Sequence, residues 1–124
     1  MATTVPPPST AGVLVLPIAL SRQFTATTAN AAAFKLPFPV KLCGVSATAR
    51  ASGGTSPTLT VDVKAGASSL LSAPVAVTAG TVAEGTVAGT GAVPDETVVS
   101  VDLAIGGTTP TWDDLTVLLT VARI

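Results

Sequence analysis

Three stretches of the chain alternate apolar and polar residues with a period of two, a pattern that fits an extended strand with one buried face. Leu59, Val61 and Val63 point one way, and Thr58, Thr60, Asp62 and Lys64 point the other. Val99, Val101, Leu103 and Ile105 alternate with Ser100, Asp102 and Ala104. Leu115, Val117, Leu119 and Val121 form the last stripe, with Thr116 and Thr120 between them. A longer strand is expected over 40–50, its pattern slipping at Cys43-Gly44 as at a β-bulge. Weaker strands are expected over 12–20, 22–27, 69–73, 75–78 and 81–88. Helix has little support, because β-branched Val and Thr dominate and glycine or proline punctuates most of the chain. Residues 29–34 (ANAAAF) are expected to form at most one helical turn.

About eight short strands, each with one apolar face, imply an all-β fold of antiparallel sheets packed face to face. The expected architecture is a single β-sandwich of jelly-roll or Greek-key type over residues 12–124. Residues 1–11 are expected to precede it as an extended arm, since Pro6, Pro7 and Pro8 favour polyproline II. Thr3 to Thr10 carry no charge, and prolines reduce the entropy lost on docking. Val5, Pro6, Pro7 and Pro8 are therefore candidate docking residues. The apolar run 11–20 (AGVLVLPIAL) is well short of the ~20 residues of a spanning helix. Pro17 interrupts it, and the first basic residue, Arg22, follows it where a signal peptide needs one before. It reads as a buried strand, with no membrane partner expected.

Composition narrows the chemistry. The 124 residues make one domain, 48% apolar but only 10% charged, with a net charge of −1. The six Lys and Arg are scattered singly, which disfavours a nucleic-acid surface. There is no His and no Tyr, and Cys43 is the only cysteine. A structural zinc site wants four Cys or His ligands, and a nucleophilic Ser or Cys most often wants a His beside it. Neither set is present. No disulfide can form within the chain, and no cofactor or metal is expected. Thirteen charges leave apolar surface that self-association would bury.

Few residues could carry catalysis or ligands. Asp62 and Asp102 could divide acid and base roles in glycoside hydrolysis if their strands were neighbours. The pattern Thr60-Val61-Asp62-Val63…Gly66 echoes Ser100-Val101-Asp102-Leu103…Gly106 forty residues later. Two hairpins at equivalent places in two sheets would produce that echo, with the carboxylates exposed, far apart and sharing no cleft. Asp95-Glu96 and Asp113-Asp114 are oxygen-rich but lack the spacing of a calcium loop, and read as turns. Cys43 reads as a small buried hydrophobe. Gly53-Gly54, residues 85–91 and Gly106-Gly107 lack a following Gly-Lys-Ser/Thr and read as hairpin and loop glycines. Trp112 is a candidate interface residue, since interfaces favour Trp; its alternative role is to cap one end of the core.

Residues 47–71 (ATARASGGTSPTLTVDVKAGASSLL) resemble the middle hairpin of small β-sandwich proteins of tailed-bacteriophage virions. Residues 92–121 resemble their closing strands: an acidic turn, an alternating Val-Asp-Leu strand, a Gly/Thr loop, then Asp-Leu-Thr-Val. Where those proteins often carry Gly-Asp at the turn, this chain has Pro94-Asp95. The resemblance implies a non-enzymatic virion protein, most like the head decoration (cement) proteins. Such a protein would be made in the host cytoplasm and sit on the capsid exterior, bound to the major capsid protein as a homotrimer. A tail-fibre or baseplate module binding a host receptor or glycan is the alternative.

Overall fold

The computed structural model describes residues 12–123, and over these the chain is all-β, with no helix. Its frame is two long strands, β3 (Val40–Ala65) and β8 (Val99–Arg123), paired antiparallel along their whole length. The expected strands 40–50 and 58–64 are thus parts of one element, as are 99–105 and 115–121. β1 (Val13–Phe24) and β2 (Thr28–Phe34) lie on the far side of β8, β1 along its C-terminal half and β2 along its N-terminal half. Residues 29–34 are therefore strand, not a helical turn. Four short strands edge β3 from the other side: β4 (Ser68–Ser69), β5 (Val75–Ala76), β6 (Ala83–Gly85) and β7 (Ala92–Val93). All these elements belong to one antiparallel sheet.

The ribbon of β3 and β8 is sharply bent. Val77 donates to the Leu59 carbonyl at 2.9 Å, and Gly80 donates to the Ala49 carbonyl at 2.8 Å. The chain from Val77 to Gly80 spans at most ~11 Å, which brings Leu59 and Ala49 within roughly 20 Å of each other. A straight strand would hold them about 33 Å apart. The bend lies where Gly53 pairs Thr111, Thr55 pairs Thr108 and Thr58 pairs Gly106. The four residues between Gly53 and Thr58 thus face the four between Gly106 and Thr111, and the ladder resumes in phase.

The two sides of this corner carry nearly the same sequence, Gly-Gly-Thr-Ser-Pro-Thr at 53–58 and Gly-Gly-Thr-Thr-Pro-Thr at 106–111. They also share backbone geometry: Gly54 and Ser56 have φ of 93° and 49°, and Gly107 and Thr109 have 108° and 46°. A Cβ on Gly54 would strike the Thr109 carbonyl, and one on Gly107 would lie 2.6 Å from the Ser56 carbonyl oxygen. Glycine here is required twice over, by φ and by close approach. These residues were expected to make hairpins and loops; they turn two paired strands together.

Bending brings both halves of the ribbon onto one core. Leu59, Val61, Val63, Val101 and Leu103 from one half join Val45, Ala47, Leu115, Val117 and Leu119 from the other. The predicted alternation holds for Leu59, Val61 and Val63 and for Leu115, Val117, Leu119 and Val121; in the second stripe Ser100, expected on the polar face, is buried beside Val99 and Val101. The expected bulge appears as a register shift between Leu42 and Gly44. Where β1 gives way to β2, the Thr27 hydroxyl accepts from the Ile105 amide at 3.0 Å and donates to its carbonyl at 3.3 Å. One side chain there stands in for a missing ladder step. Among the described residues, no helix is long and apolar enough to cross a membrane.

Candidate functional site

Asp62 and Asp102 are directly opposite each other across the β3–β8 ladder, which overturns the expectation that they lie far apart. The forty-residue echo has a different origin from the one inferred. Two copies of one pattern in paired antiparallel strands place their centres face to face, with Val61 opposite Leu103 and Val63 opposite Val101. Cross-strand neighbours have Cβ atoms about 5 Å apart, which brings the two carboxylates into one neighbourhood. Both residues also line a shared cavity of about 250 Å³, with Lys64, Thr60, Thr27 and Pro74.

The partners of the two carboxylates decide what the pair can do. Asp102 Oδ1 accepts the Asn30 backbone N–H at 2.8 Å, and its Oδ2 lies 3.0 Å from Lys64 Nζ. Asn30 sits at φ 52°, where the β2–β8 register slips between Thr28 and Ala32. Asp102 therefore supplies the acceptor that the bulged edge strand lacks. The Asn30 N–H, and then Lys64, hold its carboxyl below the ordinary carboxylate range against an opposing desolvation. Lys64 is in turn raised by its bond to Asp102. Asp62 Oδ1 accepts the Ser69 hydroxyl, which also accepts from the Leu71 amide at 3.2 Å and so ties Asp62 to the turn beyond β4.

Glycoside hydrolysis needs one protonated and one ionised carboxyl free to reach a sugar, and Asp102 is held ionised by contacts that already occupy both of its oxygens. The cavity is also smaller than the ~300–1,000 Å³ typical of ligand pockets. What the arrangement does is hold strands. Lys64 offsets the like charges facing each other, and each carboxylate anchors a turn or bulge.

The remaining candidates are dispersed. Asp114 Oδ2 accepts from Arg50 Nε at 2.7 Å, and Asp113 Oδ1 accepts from Gln23 Nε2 at 3.0 Å. Both lie within β8, not in a turn. Asp95 and Glu96 form the expected turn, with Glu96 3.5 Å from Lys35. Among the described residues, no three or more His, Cys, Asp or Glu gather to hold a metal. Cys43 is exposed, not buried: it is the extra residue of the bulge between buried Leu42 and Val45. Trp112 is 3% exposed and paired with Phe24 across the β1–β8 ladder. It offers no surface to a partner within this fold and takes the core role instead. Its Nε1 is buried without a hydrogen-bond partner. The docking candidates Val5, Pro6, Pro7 and Pro8 lie outside the described residues.

The surface that sequence reasoning missed is β1. The run 11–20 was expected to be buried, yet Val13, Leu14 and Val15 are 38%, 37% and 57% exposed. Its core-facing residues Leu16, Ile18 and Leu20 do pack inward. The opposite face, with Leu118 of β8 beside Pro17, stays open. Apolar composition alone cannot separate a strand covered by its own core from one left for something else to cover. Compared with known proteins, the chain matches no family model, no curated protein and no solved structure.

Proposed function

We propose that the chain is a structural protein of a tailed-bacteriophage virion, a capsid decoration (cement) protein on the exterior of the head. It binds the major capsid protein and copies of itself, and it catalyses no reaction. Binding the assembled lattice but not its free subunits stabilises the shell by linkage, without covalent chemistry. In this reading the bent ribbon is a two-layer sandwich wound as a jelly roll, its halves facing each other across the shared core. Residues 1–11 serve as the docking arm.

One observation carries the reading. Among the described residues, four of the six exposed large apolar side chains, Val13, Leu14, Val15 and Leu118, gather along β1 directly after the uncharged arm sequence. An uncharged apolar edge strand, exposed on both of its faces over 13–15, is suited to protein contact. The Asp62–Asp102 pair favours a hydrolase instead, but both carboxylates are engaged in holding backbone and turn, and the cavity they line is only about 250 Å³.

Immunogold electron microscopy of the particle that contains the protein tests the assignment. Label distributed over the head supports it. Label confined to the tail transfers the protein to the receptor-binding alternative, and its absence from any particle overturns a virion role.

A further inference from the structure

The free edge of β1 has a donor pattern that can be derived from one hydrogen bond. Arg123 donates its backbone N–H to the Gly12 carbonyl at 3.0 Å. Gly12 and Arg123 continue the register that pairs Val13 with Ala122, so they form a hydrogen-bonded pair. Backbone direction alternates along a strand. Leu14, Leu16 and Ile18 therefore aim their N–H and C=O groups at β8, and Val13, Val15, Pro17 and Ala19 aim theirs outward. Pro17 thus costs the β1–β8 ladder nothing, because its missing donor lies on the free side. Among the described residues, nothing pairs with that side.

We propose that this edge pairs with the same edge of a second copy of the chain, antiparallel about a two-fold axis near Leu16, to make one continuous sheet. Val13 then faces Ala19 of the second copy, and Val15 faces its Pro17. Each outward N–H of Val13, Val15 and Ala19 meets a carbonyl, and only the prolines bring no donor. On the outer face Val13 and Val15 contact the copy, while Leu14, half-exposed in one chain, meets Ile18 of the copy on the core side. No charged residue lies between Val13 and Ser21, so the two-fold opposes no like charges. A same-on-same contact of this kind closes as a dimer, unlike the trimer that the virion resemblance implies. The pairing stands independently of the virion reading.

A strip of this size is smaller than the ~800 Å² per partner of a stable interface, so the dimer should dissociate on dilution with a Kd of about 10 μM. Sedimentation equilibrium and amide exchange on the full chain test it. At about 100 μM the wild type is expected to be dimeric, with slowed exchange at Val13, Val15 and Ala19 relative to dilute protein. Val15→Pro removes an outward donor only, and Val15→Lys places a charge on the strip without touching the backbone. Each should weaken the dimer by at least ~30-fold while keeping the dilute-state thermal transition, and Val82→Lys should leave it unchanged. A monomeric wild type, or a Val15→Lys dimer as tight as wild type, overturns the proposal. So does a chain lacking residues 1–11 that dimerises only once they are gone, because the arm would then be the occupant.

Discussion

Asp62 stands directly opposite Asp102 on paired strands, and the two carboxylates are kept by different neighbours, Ser69 and Asn30. The pair is asymmetric, and its two members should respond differently to substitution. Asp62→Asn removes one of two facing like charges while keeping an acceptor for Ser69. It should leave stability unchanged or raise it by about 0.5 kcal/mol. Asp102→Asn weakens a charge-assisted bond to a backbone amide and breaks an ion pair that solvent partly screens, and should cost about 1 kcal/mol. Urea unfolding of the two variants measures the difference; equal effects would refute the asymmetry.

Acidification should act through the same residue. Asp102 titrates lower in the folded chain than in the unfolded one. The unfolded state therefore binds its proton first, and the stability that Asp102 contributes is present above its ordinary value of 3.8 and lost as pH falls below it. Thermal melting from pH 7 to pH 2 should fall more steeply in wild type than in Asp102→Asn. Parallel curves would contradict this.

The corner glycines should be among the least replaceable residues. Gly54→Ala and Gly107→Ala each place a Cβ against a carbonyl at a φ that only glycine adopts readily, and each should cost about 3 kcal/mol. Gly66→Ala, also at positive φ but with open space around its Cβ position, should cost about 1 kcal/mol. Comparing urea midpoints separates the two cases.

Trp112 brings both packing and an orphaned donor to the core. Trp112→Phe keeps an aromatic ring opposite Phe24 and removes the unpaired N–H, so it should cost under about 1 kcal/mol. Trp112→Ala should cost about 3–5 kcal/mol through the cavity it leaves. Calorimetry of both variants would show whether the indole nitrogen matters.

Deletion of residues 1–10 should leave the thermal transition within about 0.5 kcal/mol of the full chain, because every core residue among those described lies in the retained part. Binding to the particle should be lost. Cosedimentation at full strength with the truncated protein would remove the arm from the docking mechanism.

The period-two stripes were legible because alternation is imposed by burying one face of a strand, whatever the strand's neighbours. The bulge was legible too, since Cys43-Gly44 breaks the period. Its consequence was not: a bulge re-aims the extra side chain, and Cys43 points out where its composition suggested burial. The strand count failed at the corner, where Gly-Gly-Thr-Ser-Pro-Thr looks like the end of one strand and the start of another. The matching Gly-Gly-Thr-Thr-Pro-Thr was the available signal that both strands turn together. The position of the carboxylate pair was not legible, because a pairing axis between neighbouring strands generates the echo as well as a translation between sheets does. The exposure of β1 had no local signature, since the run is as apolar as any core strand.

The matched halves of the corner also limit how this chain can vary by insertion and deletion. Side chains switch faces with every residue, so one residue gained in 54–57 alone would turn the following half of β3 inside out. Val61 and Val63 would go to solvent, and Asp62 into the core. A second bulge like that at Cys43 could absorb the extra residue, but it would leave one backbone group unpaired in the corner. A matching change in 107–110 keeps the ladder in phase without one. The two hexapeptides, distant in sequence, are therefore best changed in length together.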